Sequence, residues 1–409
     1  MADKMDLRTV EVWDGNMASA QSLRQAQVDV VAAYPITPST PIVENYAGFL
    51  ANGYVDGEYV MVESEHAAMS GCIGASAAGG RVATATSSQG FALMVETLYQ
   101  ASGMRLPIVL HVVNRALAAP LNVNGDHSDM YLGRDSGWIQ LATFTPQEAY
   151  DLGLMAFKIG EDHGVRLPVM VHQDGFISSH TAQNINVLSD DEAYKFVGEF
   201  QPMNSMLDFE KPATHGVQTE EDWHFEHKAR QHNDLMTKAI PKIEEVFAEF
   251  EKLTGRKYNL IEEYMVEDAD VVVIAMGTTV ETARLAAKIT REKEGIKIGV
   301  IGLRVLRPFP FDKLAETLKN VKAIGTLDRS SPNGTVGMLH NEIAGVVIEN
   351  EKVPVMKNYI YGLGGRDMTV VNLQDIYREL NENAKAGKRI GAVQRFINLR
   401  GPELTFLGK

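Results

Sequence analysis

The sequence predicts an α/β fold with two regions of parallel βαβ units, joined by a charged helical connector. In the first 200 residues, short apolar runs rich in β-branched residues alternate with longer helical stretches. The same alternation returns after residue 268, whereas the stretch between is charged and mostly helical in pattern. Strands that alternate with helices indicate parallel sheets. The length of 409 residues suits two or three domains, and we place the boundaries at 1–201, 202–268 and 269–409.

Four apolar runs predict the strands of the first region. Each run ends in polar or small residues, and helical patterns lie between the runs. The predicted strands are 28–35, 81–88, 106–113 and 167–174, and the predicted helices are 65–80, 90–104 and 145–163. Ligands of an open parallel sheet bind at the carboxyl ends of its strands. The segments "YPITPSTP", "SSQGF", "NRALAAP" and "HQDGF", which follow these strands, therefore mark a candidate site.

The connector and the second region follow in order. The connector contains a charged helical run that Pro241 interrupts, and we expect it to pack on the surface. The three histidines of this helical run, at 224, 227 and 232, indicate a solvated helix face rather than a metal site. The second region has apolar runs at 270–277, 296–310, 321–330 and 357–365, with a helix over 278–295. The segment "GLGGRDMT" at its end predicts a tight turn, with a contact to a cosubstrate or a partner as the alternative.

Composition excludes several classes of protein. The net charge of −14 and the lack of a basic cluster argue against binding to nucleic acid or to anionic membranes. No apolar run is long enough to span a bilayer, and the first residues lack a signal-peptide core, so we expect a cytoplasmic protein. The single cysteine, Cys72, rules out a disulfide framework or an iron–sulfur cluster built by this chain alone. We expect Cys72 to be a buried, unreactive thiol.

The stretch "AYPITPSTPIVENYAG", which begins at Ala33, is unusually rich in proline. Proline fixes φ near −65°, and it pushes the preceding residue into extended conformations. We therefore expect a rigid turn that holds Thr37 in one orientation. A plain strand-to-helix connection, with Thr40 as the helix N-cap and Pro41 at the first helical position, is the alternative.

Glu65 and Arg115 are the candidate charged residues of the site. Glu65 opens the predicted helix 65–80, where a carboxylate is also favoured simply by the helix dipole. Arg115 directly follows the strand 106–113, and its planar guanidinium suits bidentate binding of a carboxylate. A structural ion pair is the alternative for Arg115. A metal site is a weaker interpretation of the loop that follows, which carries Asp126, His127, Asp129, Arg134 and Asp135.

A nucleotide-binding glycine motif is not present. The cluster "GCIGASAAGG" follows a helical pattern rather than a strand, and there is no Walker A lysine motif.

Six segments taken together resemble the alpha subunit of the multi-subunit 2-oxoacid:ferredoxin oxidoreductases, the pyruvate:ferredoxin oxidoreductase or pyruvate synthase family. They are "YPITPSTP", "SEHAAMSG", "SSQGF", "NRALAAP", "GDHSDMYLGRDSGW" and "LPVMVHQDGF". The segments "VVVIAMGTTVETA", "IGVIGLRVLRPFP" and "LDRSSPNG" extend the resemblance over nearly the whole chain. The resemblance implies a pyrimidine-type thiamine-diphosphate-binding parallel α/β domain, followed by an α/β domain like the C-terminal domain of transketolase.

The resemblance also implies roles for individual residues. Thr37 matches a threonine that contacts substrate beside the thiazolium ring. Glu65 matches the glutamate that hydrogen-bonds N1′ of the aminopyrimidine, and Arg115 matches the arginine that holds the 2-oxoacid carboxylate. The loop 126–135 matches one near the substrate pocket and the subunit contacts. The segment near the pyrimidine ring is matched by Ser88, Gln89 and Gly90.

What the chain lacks implies partner subunits. The family's Gly-Asp-Gly motif for diphosphate and Mg²⁺ is not found here, so a beta subunit would supply it, and the active site would be an interface. The [4Fe-4S] clusters would lie in gamma and delta-type subunits or in an electron-transfer subunit, with ferredoxin as acceptor, or NAD through an added flavin subunit. The isolated chain should be inert.

The implied reaction is the reversible oxidative decarboxylation of pyruvate with coenzyme A to acyl-CoA, CO₂ and reduced ferredoxin. One alternative is the same chemistry on phenylglyoxylate, a branched-chain 2-oxoacid, 2-oxoglutarate or oxalate. A catalytically silent assembly subunit of the same fold is the other alternative.

Overall fold

The computed structural model describes residues 5 and 7–401. The strands are β1 (Val10–Trp13), β2 (Val30–Ala33), β3 (Glu58–Met61), β4 (Val82–Thr86), β5 (Val109–Asn114), β6 (Ile139–Ala142), β7 (Val169–Asp174), β8 (Gln183–Asn186), β9 (Ile261–Tyr264), β10 (Val271–Ala275), β11 (Ile298–Leu303), β12 (Val305–Arg307), β13 (Ala323–Asp328), β14 (Val355–Ile360) and β15 (Gln394–Phe396). The helices are α1 (Gly15–Gln25), α2 (Thr40–Ala51), α3 (Glu65–Ala77), α4 (Ser88–Gly103), α5 (Pro146–Glu161), α6 (Asp190–Val197), α7 (Glu221–Asp234), α8 (Ile240–Thr254), α9 (Thr279–Glu294), α10 (Phe311–Leu318), α11 (Met338–Val347) and α12 (Val370–Ala386).

The first sheet has seven strands in the order β12-β6-β7-β5-β4-β2-β3, and all its neighbours except β12 and β6 pair in parallel. One face packs against α1, α2 and α5, and the other packs against α3 and α4. The four predicted strands are confirmed as β2, β4, β5 and β7. β3 and β6 were not predicted. The strand β3 lies at the sheet edge and is mostly exposed, and Gln140 interrupts the apolar residues of β6, so neither forms a continuous apolar run.

The second sheet has six strands in the order β15-β14-β13-β10-β11-β9, and only β9 runs antiparallel to its neighbour. The helices α9 and α12 cover one face, and α10 and α11 cover the other. Met130 and Ala142 of the first region pack into the core beside α10 and α11. The apolar packing is therefore continuous between the two sheets.

The run 296–310 was predicted as one unit of the second region, but it divides at Arg304. The strand β11 stays in the second sheet, whereas β12 pairs antiparallel with β6 of the first sheet. The Arg304 side chain is buried and forms ion pairs with Glu148 of α5, at 2.7 Å, and with Glu262 of β9, at 2.9 Å. A buried guanidinium is stable only when it is paired, so this arginine joins both sheets at the point where the run divides.

The predicted connector contains α7 and α8, and Pro241 lies in the first turn of α8. The connector also contains β9, which joins the second sheet and which the charged pattern did not reveal. The helix α7 is exposed over most of its length, while α8 packs on the first core through Phe247 and Phe250. No group of side chains suited to hold a metal is found in residues 5 and 7–401, including the histidines of α7. The three domain boundaries stay a prediction.

Within the described part of the chain, no helix combines the length and the apolar character needed to cross a bilayer.

Candidate active site

The carboxyl edge of the first sheet gathers the predicted site residues. The strands β2, β3, β4 and β5 run parallel, so the segments that follow them emerge at the same edge. The proline-rich turn follows β2, and α3 begins shortly after β3. α4 begins two residues after β4, and Arg115 follows β5 directly. The structure therefore brings together segments that lie up to 80 residues apart in the sequence.

Hydrogen bonds from α1 and within the turn itself hold the proline-rich turn in place, and Thr37 is exposed at the edge of the sheet. The Asn16 Nδ2 atom of α1 donates a buried hydrogen bond of 2.8 Å to the Pro38 carbonyl. Ser39 N and Ser39 Oγ both donate to the Ile36 carbonyl, at 2.9 and 2.8 Å. The alternative in which Thr40 is the N-cap was wrong, because Thr40 is already the first residue of α2. Ser39 is at the N-cap position, but its hydroxyl bonds within the turn and does not cap the helix.

Glu65 occupies the first position of α3, where Ser64 is the N-cap and its Oγ accepts from Ala67 N at 3.1 Å. The Glu65 side chain is only 6% exposed, and burial raises its pKa above the ordinary value of a glutamate. Among the described residues, no cation pairs with its carboxylate. Such a carboxyl group can hold a proton at a pH where a surface glutamate is ionised. An acid that only stabilises a helix N-terminus acts through its negative charge and does not require a raised pKa.

Gly90 of α4 leaves the space into which the Glu65 carboxylate extends. A Cβ atom at Gly90 would lie 2.8 Å from Glu65 Cδ and 2.6 Å from Thr86 Oγ1. The Thr86 and Ser87 hydroxyl groups are buried here, and neither has a hydrogen-bond partner within residues 5 and 7–401. The site thus combines a glutamate, a glycine-sized gap and two unpartnered hydroxyls.

Ser88 has a left-handed backbone with φ of 49° at the start of α4, a conformation that costs free energy for any residue but glycine. Two contacts hold it in place. Ser88 N donates to Asp129 Oδ2 at 2.8 Å, and Ser88 Oγ donates to the Ala116 carbonyl at 2.5 Å. The neighbouring Gln89 is half-buried, and its side-chain amide lies 2.6 Å from Ser88 Oγ.

Arg115 is 7% exposed, and its guanidinium is held by backbone carbonyls. Nη1 donates to the Thr37 carbonyl at 2.8 Å, and Nε donates to the Asn122 carbonyl at 3.3 Å. Among the described residues, no carboxylate forms an ion pair with Arg115, so the ion-pair alternative is not what the structure contains. Thr37 and Arg115 are thus direct neighbours, although 78 positions separate them.

Asp129 is a residue of the site that sequence reasoning did not single out from its loop. It is fully buried, and it accepts from Ser88 N at 2.8 Å, Arg115 N at 2.9 Å and Asn114 Nδ2 at 2.8 Å. Burial raises the pKa of Asp129 to about 6, against the lowering effect of these donors. One carboxylate therefore links the end of β4 to the end of β5. In the sequence, Asp129 is one of several acidic residues in a loop that contains glycines, and nothing in its position distinguishes it from the others.

The same loop reaches the second region. His127 Nε2 lies 2.6 Å from Asp174 Oδ1, and Arg329 Nη1 lies 3.0 Å from Asp174 Oδ2. Thr278 N also donates to Asp174 Oδ2, at 2.8 Å. Burial alone would raise the pKa of Asp174, but Arg329, His127 and the Thr278 hydroxyl hold it well below the usual range of an aspartate. His127 therefore belongs to a buried charge cluster between the two sheets, not to a metal site.

Two family models and several full-length relatives match this chain. The family model "Pyruvate flavodoxin/ferredoxin oxidoreductase, thiamine diP-bdg" matches residues 21–247, and "Pyruvate:ferredoxin oxidoreductase core domain II" matches residues 269–373. The pyruvate synthase subunit PorA of Thermotoga maritima is 45% identical over 94% of this chain and 97% of its own length. The ketoisovalerate oxidoreductase subunit VorA of Pyrococcus abyssi is 44% identical over 92% of this chain and 95% of its own.

Two solved structures share the fold. The 2-oxoglutarate:ferredoxin oxidoreductase of Magnetococcus marinus has a TM-score of 0.71 at 22% identity, over 93% of this chain and 67% of that one. A split-gene transketolase, an inactive β4 tetramer, has a TM-score of 0.54 at 13% identity, over 91% of this chain and 99% of that one. The matches to the two family models and to full-length relatives above 40% identity show that the chain belongs to the pyruvate:ferredoxin oxidoreductase family, as an oxidoreductase subunit that carries the family's thiamine-diphosphate-binding region and its core domain II.

Proposed function

We propose that this chain holds the pyrimidine side of thiamine diphosphate and the carboxylate of a 2-oxoacid, in an enzyme that converts pyruvate and coenzyme A reversibly to acetyl-CoA and CO₂ and passes the two electrons released to ferredoxin. The observation that carries the proposal is the convergence of Glu65 and Gly90 with Thr37 and Arg115 at one sheet edge. Glu65, which packs against Gly90, offers a carboxyl group that can hold a proton. Arg115 offers a cation beside the exposed hydroxyl of Thr37.

The residues fit the cofactor they would hold. An aminopyrimidine ring is flat and carries polar atoms, and it needs hydrogen-bonding groups at its rim. Gly90 leaves room for the Glu65 carboxyl group, and the buried hydroxyls of Thr86 and Ser87 have no hydrogen-bond partner among the described residues. Such unpartnered buried groups are costly unless a ligand satisfies them.

Thiamine diphosphate, when bound, would supply the carbon nucleophile and the electron sink for decarboxylation. Glu65 would hold a proton at its carboxyl group and share it with the pyrimidine N1′, a role that its burial favours because the raised pKa keeps the proton available. The Arg115 fork would bind the 2-oxoacid carboxylate, and its bond to the Thr37 carbonyl fixes its direction. Thr37 would present its hydroxyl to the substrate from the stiff turn.

The remaining parts of the reaction would come from other chains. The sequence has a single cysteine, so the [4Fe-4S] clusters that carry electrons to ferredoxin would lie in gamma and delta-type or electron-transfer subunits. A beta subunit would bind the diphosphate and Mg²⁺. An added flavin subunit would direct the electrons to NAD instead.

A branched-chain 2-oxoacid is the second candidate substrate. It is favoured by one observation: the subunit named for ketoisovalerate is 44% identical to this chain, nearly as similar as the 45% of the subunit named for pyruvate synthase. Overall identity does not separate these two substrates.

The test is a substrate panel on the assembled complex. We expect kcat/KM for pyruvate to exceed that for 2-oxoisovalerate, 2-oxoglutarate, phenylglyoxylate and oxalate. Higher activity on 2-oxoisovalerate would select the second candidate. A complex that contains this chain but binds no thiamine diphosphate would instead show a silent assembly subunit.

A further inference from the structure

The segment from Ala116 to Asp129 directly follows Arg115 and contacts the second region. We term it the arginine loop. Its tip is exposed between Ala118 and Leu121 and again at Val123 and Asn124. Inside the loop, Ala116 N donates to the Asn124 carbonyl at 3.0 Å. Leu117 N donates to Ser128 Oγ at 3.0 Å, and Asn124 N donates to Asn122 Oδ1 at 2.7 Å. These local bonds do not fix the exposed tip relative to the rest of the protein, which requires contacts from other elements.

A short series of contacts runs from Arg115 to the turn Gly362–Gly365. Arg115 Nε donates to the Asn122 carbonyl at 3.3 Å, and the Asn122 Nδ2 atom donates to the Gly364 carbonyl at 3.1 Å. In return, Gly364 N donates to Asp126 Oδ2 at 3.1 Å. Both hydrogen-bonding groups of Gly364 are therefore used by the arginine loop, and one of its two partners directly contacts Arg115.

The turn can approach the loop because three of its four residues are glycines in left-handed conformations. The φ angles of Gly362, Gly364 and Gly365 are 66°, 58° and 85°. A Cβ atom at Gly364 would collide with the Asn122 side-chain amide, with Asn122 Cγ at 3.1 Å, and one at Gly365 would lie 2.5 Å from Asn124 Cβ. Glycine is needed here both for the backbone angle and for the close approach.

A second anchor lies at the other end of the loop. Arg329, which is buried, donates from Nη2 to the Gly125 carbonyl at 3.0 Å, and its own carbonyl accepts from His127 N at 2.8 Å. The ion pair of Arg329 with Asp174 fixes this arginine to the first sheet as well. The arginine loop is thus held by the second region at Asn122, at Asp126 and around Gly125.

We propose that the Gly362–Gly365 turn and Arg329 fix the arginine loop so that Arg115 points at the 2-oxoacid carboxylate, which makes Asn122 and Asp126 positioning residues for the substrate. The proposal rests on the substrate role of Arg115 in the proposed function. It gives the second region a part in substrate binding, and it gives the "GLGGRDMT" segment a contact within its own chain.

The test uses the complex assembled with Asn122→Asp or Gly364→Ala in this chain. Asn122→Asp keeps the size of the side chain and the acceptor for Asn124 N, but it loses the donor to Gly364. Gly364→Ala pushes the turn away from the loop. The control is Gly295→Ala, at the end of α9, which places alanine at a similar φ of 68° but meets no atom within 4 Å.

Both loop variants should raise KM for the 2-oxoacid roughly threefold to tenfold, the effect of one lost hydrogen bond, and should leave kcat within about twofold. Bound thiamine diphosphate should be unchanged. Amide hydrogen exchange over 116–129, measured by mass spectrometry, should become faster. The Gly295→Ala complex should match wild type in KM and in the exchange of this segment.

Three further outcomes separate the possible failures. Faster loop exchange with unchanged KM, in a complex where Arg115→Lys does raise KM, would overturn the positioning role and leave the proposed function intact. An Arg115→Lys complex with wild-type KM would refute the substrate role itself, and the positioning role with it. Unchanged exchange in both loop variants would overturn the claim that the turn holds the loop.

Discussion

Replacing Glu65 with glutamine separates a catalytic carboxyl group from a helix-terminal acid. Glu65→Gln keeps the length of the side chain and its place at the first position of α3. The exchange removes only the ability to hold and release a proton. Because the gap at Gly90 accepts a side chain of the same size, the pyrimidine side of the site should keep its shape.

The magnitude follows from the surroundings of Glu65. Loss of the negative charge at a helix N-terminus costs about 0.3–1 kcal/mol, while the burial that raises its pKa favours an uncharged side chain. These two effects oppose each other, so we expect the free energy of unfolding to change by less than about 1 kcal/mol. Loss of a positioned acid–base group slows its proton transfer by about 10²–10⁴-fold, which corresponds to about 3–5 kcal/mol in the activation free energy.

The assay is the exchange of the cofactor C2 proton with deuterium, followed by NMR in the assembled complex. This rate reports proton transfer at the cofactor separately from electron transfer and from the coenzyme A step. Glu63→Gln is the matched control, since Glu63 lies two residues earlier and is exposed. The control complex should exchange at the wild-type rate.

One result would refute the reasoning. A Glu65→Gln complex that retains its thiamine diphosphate and exchanges the C2 proton at the wild-type rate would show that Glu65 only terminates a helix. Loss of the bound cofactor alone would indicate a binding role in place of proton transfer.

Four further predictions follow from the same structure. Gly90→Ala should weaken thiamine diphosphate binding to the complex by at least tenfold, because the new Cβ would lie 2.8 Å from the Glu65 carboxyl carbon. The control Gly48→Ala lies on an open helix face and should leave the measured dissociation constant unchanged. Arg115→Lys should lower kcat/KM for the 2-oxoacid roughly 10–150-fold, since it loses a bidentate contact worth about 1.5–3 kcal/mol, and activity within twofold of wild type in steady-state assays would contradict this. The isolated chain should give no heat of binding with thiamine diphosphate and Mg²⁺ in titration calorimetry, and tight binding would show that no partner is needed. Burial raises the pKa of Cys72 to about 12, so at pH 8 the thiol is protonated and shielded; mass spectrometry should find it unmodified by iodoacetamide in the native chain and fully modified in denaturant.

The central strands of the first sheet could be predicted because each is buried on both faces. Such strands appear in the sequence as continuous apolar runs, which is how β4, β5 and β7 were found. The same runs predict where the carboxyl ends lie, and therefore which polar residues share an edge. Edge strands such as β3 leave no such run, since one face and one side meet solvent.

The site was predictable as a set of segments but not as a set of contacts. Residue types and their places after strands singled out Thr37, Glu65 and Arg115. The acid that connects two of these segments, Asp129, could not be distinguished from Asp126 or Asp135, because only burial and the direction of neighbouring N–H groups separate them.

By itself, the amino-acid sequence determined the α/β class, most of the strands buried on both faces, and which polar residues follow those strands at their carboxyl ends. All of these depend on local composition and on spacing along the chain. The tertiary structure decided the division of 296–310 at Arg304, the pairing of β12 with the first sheet, and the contact of Gly364 with Asn122. These features depend on the pairing of a buried charge and on hydrogen bonds between groups that are far apart in the sequence. A local sequence pattern predicts neither of them.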